Sequence, residues 1–187
     1  MQNKKVFTFV LFAVIVSIVG RLMPHLPNFT PLVAITLFSG FIFKNKIKAV
    51  LLALACMLIS DFATITLLNS KYLTLNEYFT SASTLFIYLP IVAIALIGSG
   101  IKEIKFPKIA ALGFGGSLLF WIFSNFGVWA ISTSFYAANF SGLTACYVAA
   151  IPFLGYQMAG DVFYSLIVFG FAKFSISYFS SVNSSKI

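Results

Sequence analysis

Apolar residues recur along this chain in long runs, at about 6–22, 31–43, 47–69, 84–100, 109–132 and 157–181. A further apolar stretch at 143–156 is interrupted by Pro152. The breaks are chemically marked. Pro24, Pro27 and Pro31 follow the first run, and Lys44-Asn45-Lys46 follows the second. Further along come a polar run at 69–83, a basic one at 102–108 with Pro107, and a Ser- and Asn-bearing one at 132–141. Runs of this length and polarity predict membrane-spanning helices, because a helix needs about 20 apolar residues to cross the hydrocarbon core. No internal repeat or domain linker interrupts the pattern, so residues 1–187 read as a single transmembrane domain.

Composition sharpens that reading. Of the 187 residues 60% are hydrophobic and 9% charged, with a mean hydropathy of +1.02. Soluble domains carry about 25% charged residues to cover their surface; four acids and twelve bases cannot do so here. The expected fold is therefore all-α, a polytopic membrane protein facing the lipid bilayer. The net charge of +8 is explained by loop topology and implies no nucleic acid partner. Cys56 and Cys146 lie in apolar runs without metal-ligand spacing, so no metal and no cofactor are expected. Lys4 and Lys5 before an apolar run look signal-like, but residues 20–24 offer no small-x-small cleavage site, and the run reads as a retained first span.

Basic residues set the orientation. With six spans and both N and C termini cytoplasmic, Lys4, Lys5, Lys44, Lys46, Lys48, Lys102, Lys105, Lys108, Lys173 and Lys186 fall inside, and only Arg21 and Lys71 outside. That is the positive-inside bias, loop by loop. A seventh span at 143–156 would reverse the C-terminus, so that stretch reads as an outer re-entrant or interfacial segment. The run 31–43 is short, about 20 Å as a helix. Thr30 followed by Pro31 reads as its N-cap and first residue, starting below the outer surface with the positive dipole end pointing into the protein. Residues 24–30 then form a candidate pocket wall, since irregular backbone at that depth must be buried or line a cavity.

The polar residues within the runs gather at one level, the outer third of the bilayer. Asp61 and Asp161 are the acids inside spans, and an intramembrane carboxylate faces a partner or a cavity rather than lipid. Trp121, Asn125 and Trp129 at i, i+4, i+8 share one helix face and suit a ring-bearing ligand. Asp161 shares a face with Tyr164 and Ser165. Each has a structural alternative: Asp61 paired with Arg21, Asp161 as a helix-start acid, His25 and Trp129 at the interface, Cys56 in packing. Ala13-x3-Ser17 and Gly113, Gly116 and Ser117 permit close helix approach, and the first stripe is available to a partner helix.

Several segments together resemble a bacterial family of uncharacterised small membrane proteins. They are Arg21-Leu-Met-Pro-His25-Leu-Pro-Asn28-Phe-Thr-Pro31, Ser60-Asp61, Ser124-Asn125-Phe-Gly-Val-Trp129, the stretch from Gly142 through Cys146 and Tyr147 to Pro152, and Gly160-Asp161. That family is similar to the substrate-binding S components of energy-coupling-factor vitamin transporters. The resemblance implies six transmembrane helices in an S-component-like bundle and an outward-facing vitamin pocket in the bacterial cytoplasmic membrane. It also implies a first-helix small-residue stripe docked on an energy-coupling transmembrane subunit with ATPases; here the stripe is Ala13-x3-Ser17. His25, Asp61 and Tyr78 resemble the BtuM-type cobalamin transporters, although 69–83 lacks the cysteine many of those carry.

The expected function is capture of a small vitamin-like molecule, cobalamin or a related precursor among the candidates, from the outer side for uptake. Arg21, His25 and Asn28 would line the mouth, with Asp61, Tyr78, Trp121, Asn125, Trp129, Tyr147 and Asp161 around the ligand and 142–156 as a lid. No Walker motif is present, and no enzyme activity is expected. The alternatives are an intramembrane enzyme using Asp61 and Asp161 as a carboxylate pair, and a non-transporting accessory subunit with a solid interior.

Overall fold

The computed structural model describes residues 2–68, 76, 78, 81–131 and 135–184. Six helices are described: α1 (Gln2–Leu22), α2 (Leu32–Ile42), α3 (Lys46–Leu67), α4 (Ser83–Ser99), α5 (Phe106–Ile131) and α6 (Phe140–Ser184). The polar breaks in the sequence act as helix signals. Asn45 accepts a hydrogen bond from the Lys48 N–H at 3.1 Å and caps α3, and Asn139 accepts from the Gly142 N–H at 2.9 Å and caps α6. Four helices, α1, α3, α5 and α6, are long and apolar enough to cross a membrane; α2 and α4 are shorter apolar helices.

Polarity is inverted relative to a water-soluble protein. Phe7, Leu11 and Ile15 on α1, Leu51, Leu58 and Phe62 on α3, and Leu85 and Leu89 on α4 are exposed. Asp61, Asp161, Ser117, Ser165 and Gln157 are buried. Such a surface suits hydrocarbon and lacks the charge needed to solvate it in water.

The centre of the bundle is α2. Residues from Val33 to Gly40 are all buried, and the helix touches each of the other five. Gly40 and Gly98 allow α2 to meet α4 backbone to backbone, since a methyl on either would collide with the facing main chain. Gly116 similarly accommodates Val33, with its α5 backbone so close that an added Cβ would fall 2.5 Å from Val33 Cγ1.

Three sequence expectations change. The stretch 143–156 is not a separate segment: it is the first part of α6, which runs unbroken through Pro152 for 45 residues, about 68 Å. The proline removes one N–H from the ladder, and packing of α6 along the whole of α5 holds the helix together. Lys173 Nζ stands 5.2 Å from the Phe106 ring, so the helix passes the start of α5 there and projects beyond it. Secondly, Ala13 and Ser17 are buried in this chain's own core, so that stripe is not free for a partner helix. Thirdly, Thr30 does not cap α2. Pro31 occupies the cap position without a side-chain hydrogen bond, and the cap comes from elsewhere in the chain.

Candidate functional site

Arg21 closes the last turn of α1, where a cation is favoured by the helix dipole. Across from it, α3 turns Ser60 and Asp61 inward, both 1% exposed. Arg21 Nη1 forms an ion pair with Asp61 Oδ1, donates to Ser60 Oγ at 2.8 Å and lies 3.6 Å from Met57 Sδ. The other carboxylate oxygen, Oδ2, accepts from Tyr78 Oη at 2.9 Å and from Tyr88 Oη at 2.6 Å. Asp61 is thus charge-matched and held by three side chains. Tyr78, which precedes α4, keeps its proton well above the ordinary phenol range, because burial and the adjacent carboxylate both oppose ionisation.

Asp161 is buried to the same degree and differently partnered. Its Oδ1 accepts from the Val33 backbone N–H at 3.1 Å, and its Oδ2 from Ser117 Oγ at 2.6 Å. This is the missing cap of α2, delivered from α6 across 128 positions of sequence. The exposed dipole of α2 favours a negative charge by up to about 2 kcal/mol. Among the described residues no basic side chain pairs with it. One turn earlier on α6, Gln157 Nε2 donates to the Ser117 carbonyl at 2.9 Å. Ser165 Oγ, one turn later, is buried without a hydrogen-bond partner.

The turn between α1 and α2 lies over these groups. Asn28 takes the left-handed conformation at φ 62°, tolerated by Asn, and the Phe29 N–H closes the turn on the Leu26 carbonyl at 3.0 Å. Gly160 lets this segment rest on α6: a Cβ there would come within 2.9 Å of Phe29 Cα.

Beside Asp161 and the Arg21 and Tyr78 side chains that hold Asp61 is a partly open cavity of about 250 Å³. Arg21, Asn28, Thr30, Tyr78, Gln157 and Asp161 supply its polar lining, and Leu32, Met57, Ile87 and Phe120 its apolar wall. Of the residues singled out in the sequence, Arg21, Asn28, Tyr78 and Asp161 meet here, and Asp61 stands behind Arg21 and Tyr78. His25 sits elsewhere, exposed on the turn with Nδ1 2.8 Å from the Leu26 carbonyl, beside a separate hollow with Phe29 and Tyr164.

Trp121, Asn125, Trp129 and Tyr147 do share a region, but it is the α5–α6 seam. Trp121 Nε1 donates to the Ala150 carbonyl at 3.2 Å and Trp129 Nε1 to the Ala137 carbonyl at 3.0 Å. Tyr147 Oη donates to the Ile122 carbonyl at 2.7 Å, and its ring meets Trp121 edge-on at 5.0 Å. Asn125 Nδ2 turns back to the Trp121 carbonyl at 2.8 Å. Residues 142–156 belong to this seam rather than to a free lid.

Tyr88, Gln157 and Ser117 were not singled out as site residues from the sequence. Gln157 had a signal: an amide in an apolar run, one helical turn before Asp161. Tyr88 had none, as a tyrosine in an apolar span reads as an interfacial residue. Among the described residues no group of three His, Cys, Asp or Glu side chains could hold a metal ion.

The chain matches a family of unknown function, DUF6580, over residues 1–182, and it belongs to that family. No curated protein and no solved structure matches it.

Proposed function

We propose that this DUF6580 member is a membrane transport protein or substrate-binding subunit that captures a small vitamin-like molecule from the outer side for uptake. The observation that carries the reading is the cavity of about 250 Å³ at the level where the costly polar side chains meet. Ligand pockets combine an apolar wall with a few convergent polar groups, and Phe120, Ile87 and Leu32 facing Arg21, Tyr78 and Gln157 supply that combination. The volume lies just under the usual range of roughly 300–1,000 Å³, which favours a compact ligand over an entire corrinoid.

In this reading all six helices cross the bacterial cytoplasmic membrane, with both termini cytoplasmic and the Arg21 end of α1 outside. The short α2 completes its crossing through the turn above it. Transport proceeds by reorientation of the whole bundle, with energy from an ATPase module where one is present. Such a partner would dock elsewhere than on Ala13 and Ser17, which are buried. The enzyme alternative draws little support from the geometry: Asp61 and Asp161 have separate hydrogen-bond partners and share none. An accessory subunit would have no need of the cavity.

Thermal-shift and native mass-spectrometric screening of the purified protein against a panel of vitamins and precursors tests the proposal. A stabilising compound is expected, with its effect reduced in Gln157→Ala and Tyr78→Phe. A panel that produces no stabilisation, together with unaltered uptake in those variants, would sink it.

A further inference from the structure

The two buried carboxyl groups near the cavity are unequally partnered. Among the described residues Arg21 is the one basic side chain in its lining, and its charge is already taken by Asp61 through the same Nη1 that reaches Ser60. Asp161 lines the same cavity with no such counter-ion among the described residues. Arg21 and Tyr78 line the same cavity; from α2 Asp161 meets a backbone N–H, and from α5 a serine hydroxyl. Two hydrogen bonds leave about half of the acceptor capacity of a carboxylate unused. Gln157 adds an amide oxygen for which the structure records no donor, 4 positions away on the same helix face.

We infer that the ligand of this cavity is a small organic cation, an ammonium or protonated heterocycle, whose positive charge is held by Asp161 with Gln157 beside it. This rests on the capture reading and specifies its substrate class. Two features of the lining agree with it. The wall includes the aromatic residue Phe120, and an aromatic ring attracts a cation. Arg21 does not repel such a guest as a free cation would, since its ion pair with Asp61 is neutral overall. An anionic ligand, by contrast, would meet the carboxyl group of Asp161 and a guanidinium already engaged by Asp61.

The test uses three probes of similar size on the full-length protein in detergent: benzylamine, benzyl alcohol and benzoate. Benzylamine should bind about tenfold tighter than the alcohol or more, a difference of about 1.4 kcal/mol, with benzoate weakest. Asp161→Asn keeps an oxygen for the Val33 N–H and polar contact with Ser117, so the fold is retained while the charge goes. In that variant the advantage of the amine should vanish. Equal binding of amine and alcohol to the unaltered protein, a preference for benzoate, or an amine preference that survives Asp161→Asn would each overturn the inference. Should the vitamin panel contain a binder that is neutral or anionic, capture stands and the cation assignment falls. Should no small molecule of any charge bind, capture itself falls, and the assignment with it.

Discussion

Asp61 and Asp161 are equally buried, and their surroundings teach different things about a carboxylate in an apolar bundle. Asp61 is surrounded by an arginine and two tyrosines, drawn from α1, α4 and the segment before α4. It is a tie: it pins the end of α1 to α3 and α4, and all of its demands are met within the protein. Asp161 holds only a backbone N–H and a serine. It secures the start of the central helix α2, and no basic side chain among the described residues pairs with it. A satisfied carboxylate is structural; one that is hydrogen-bonded but not neutralised, beside a cavity, has chemistry to spare.

Several substitutions would break or sharpen that contrast. The largest effect is expected from Arg21→Met, which leaves Asp61 buried and unpaired at a cost of about 3–5 kcal/mol. Unfolding in detergent measures it, and adding Asp61→Asn in the same chain should recover much of the loss. Failure of the double variant to recover would mean the ion pair is not the tie described here. Tyr88→Phe removes a hydrogen bond to the charged Asp61 and should cost about 1.5–3 kcal/mol, with binding of cavity ligands little changed, since Tyr88 is not among the lining residues of the cavity.

At Asp161 the expected loss is smaller and depends on shape rather than charge. Asp161→Ala orphans the Val33 N–H and should cost about 1–3 kcal/mol, whereas Asp161→Asn should retain most of the stability. A large loss in the Asn variant would mean that the charge itself holds α2 in place. Trp129→Phe is the mildest change. It removes one partly exposed bond to the Ala137 carbonyl, worth about 0.5–1.5 kcal/mol, and should leave ligand affinity untouched because the seam lies apart from the cavity. A Trp129→Phe variant with lowered ligand affinity would return the seam to the site.

Much of the helix pattern was legible in the sequence. Among the described residues each apolar run lies within a helix to within one or two residues at its ends, and Asn45 and the Pro-rich turn after α1 mark ends that the structure shares. The site was legible only in part. Arg21 and Asp61 could be singled out because charged groups in or beside apolar segments are costly and need partners, whereas Tyr78 was named only through the family resemblance. The indole face of α5 misled, since i, i+4, i+8 spacing shows that three side chains share a face without showing what that face meets. Here it meets carbonyls of α6 and of the turn before it. Pro152 misled in the opposite direction: a proline within an apolar run reads as a break, yet contact along α5 carries α6 through it.

What the sequence determined by itself is the partition between lipid and interior, because transfer of so many apolar side chains, with so few charges, leaves no other stable arrangement. It determined where the helices lie for the same reason: backbone groups in an apolar medium must be satisfied within the segment. Which polar group finds which partner was decided by the tertiary structure alone. The N-terminus of α2 is capped by a residue 128 positions away, and Arg21 is matched from 40 positions away. Such pairings depend on which helix faces meet, and the close approach of α2 to α4 and α5 at Gly40, Gly98 and Gly116 sets those faces.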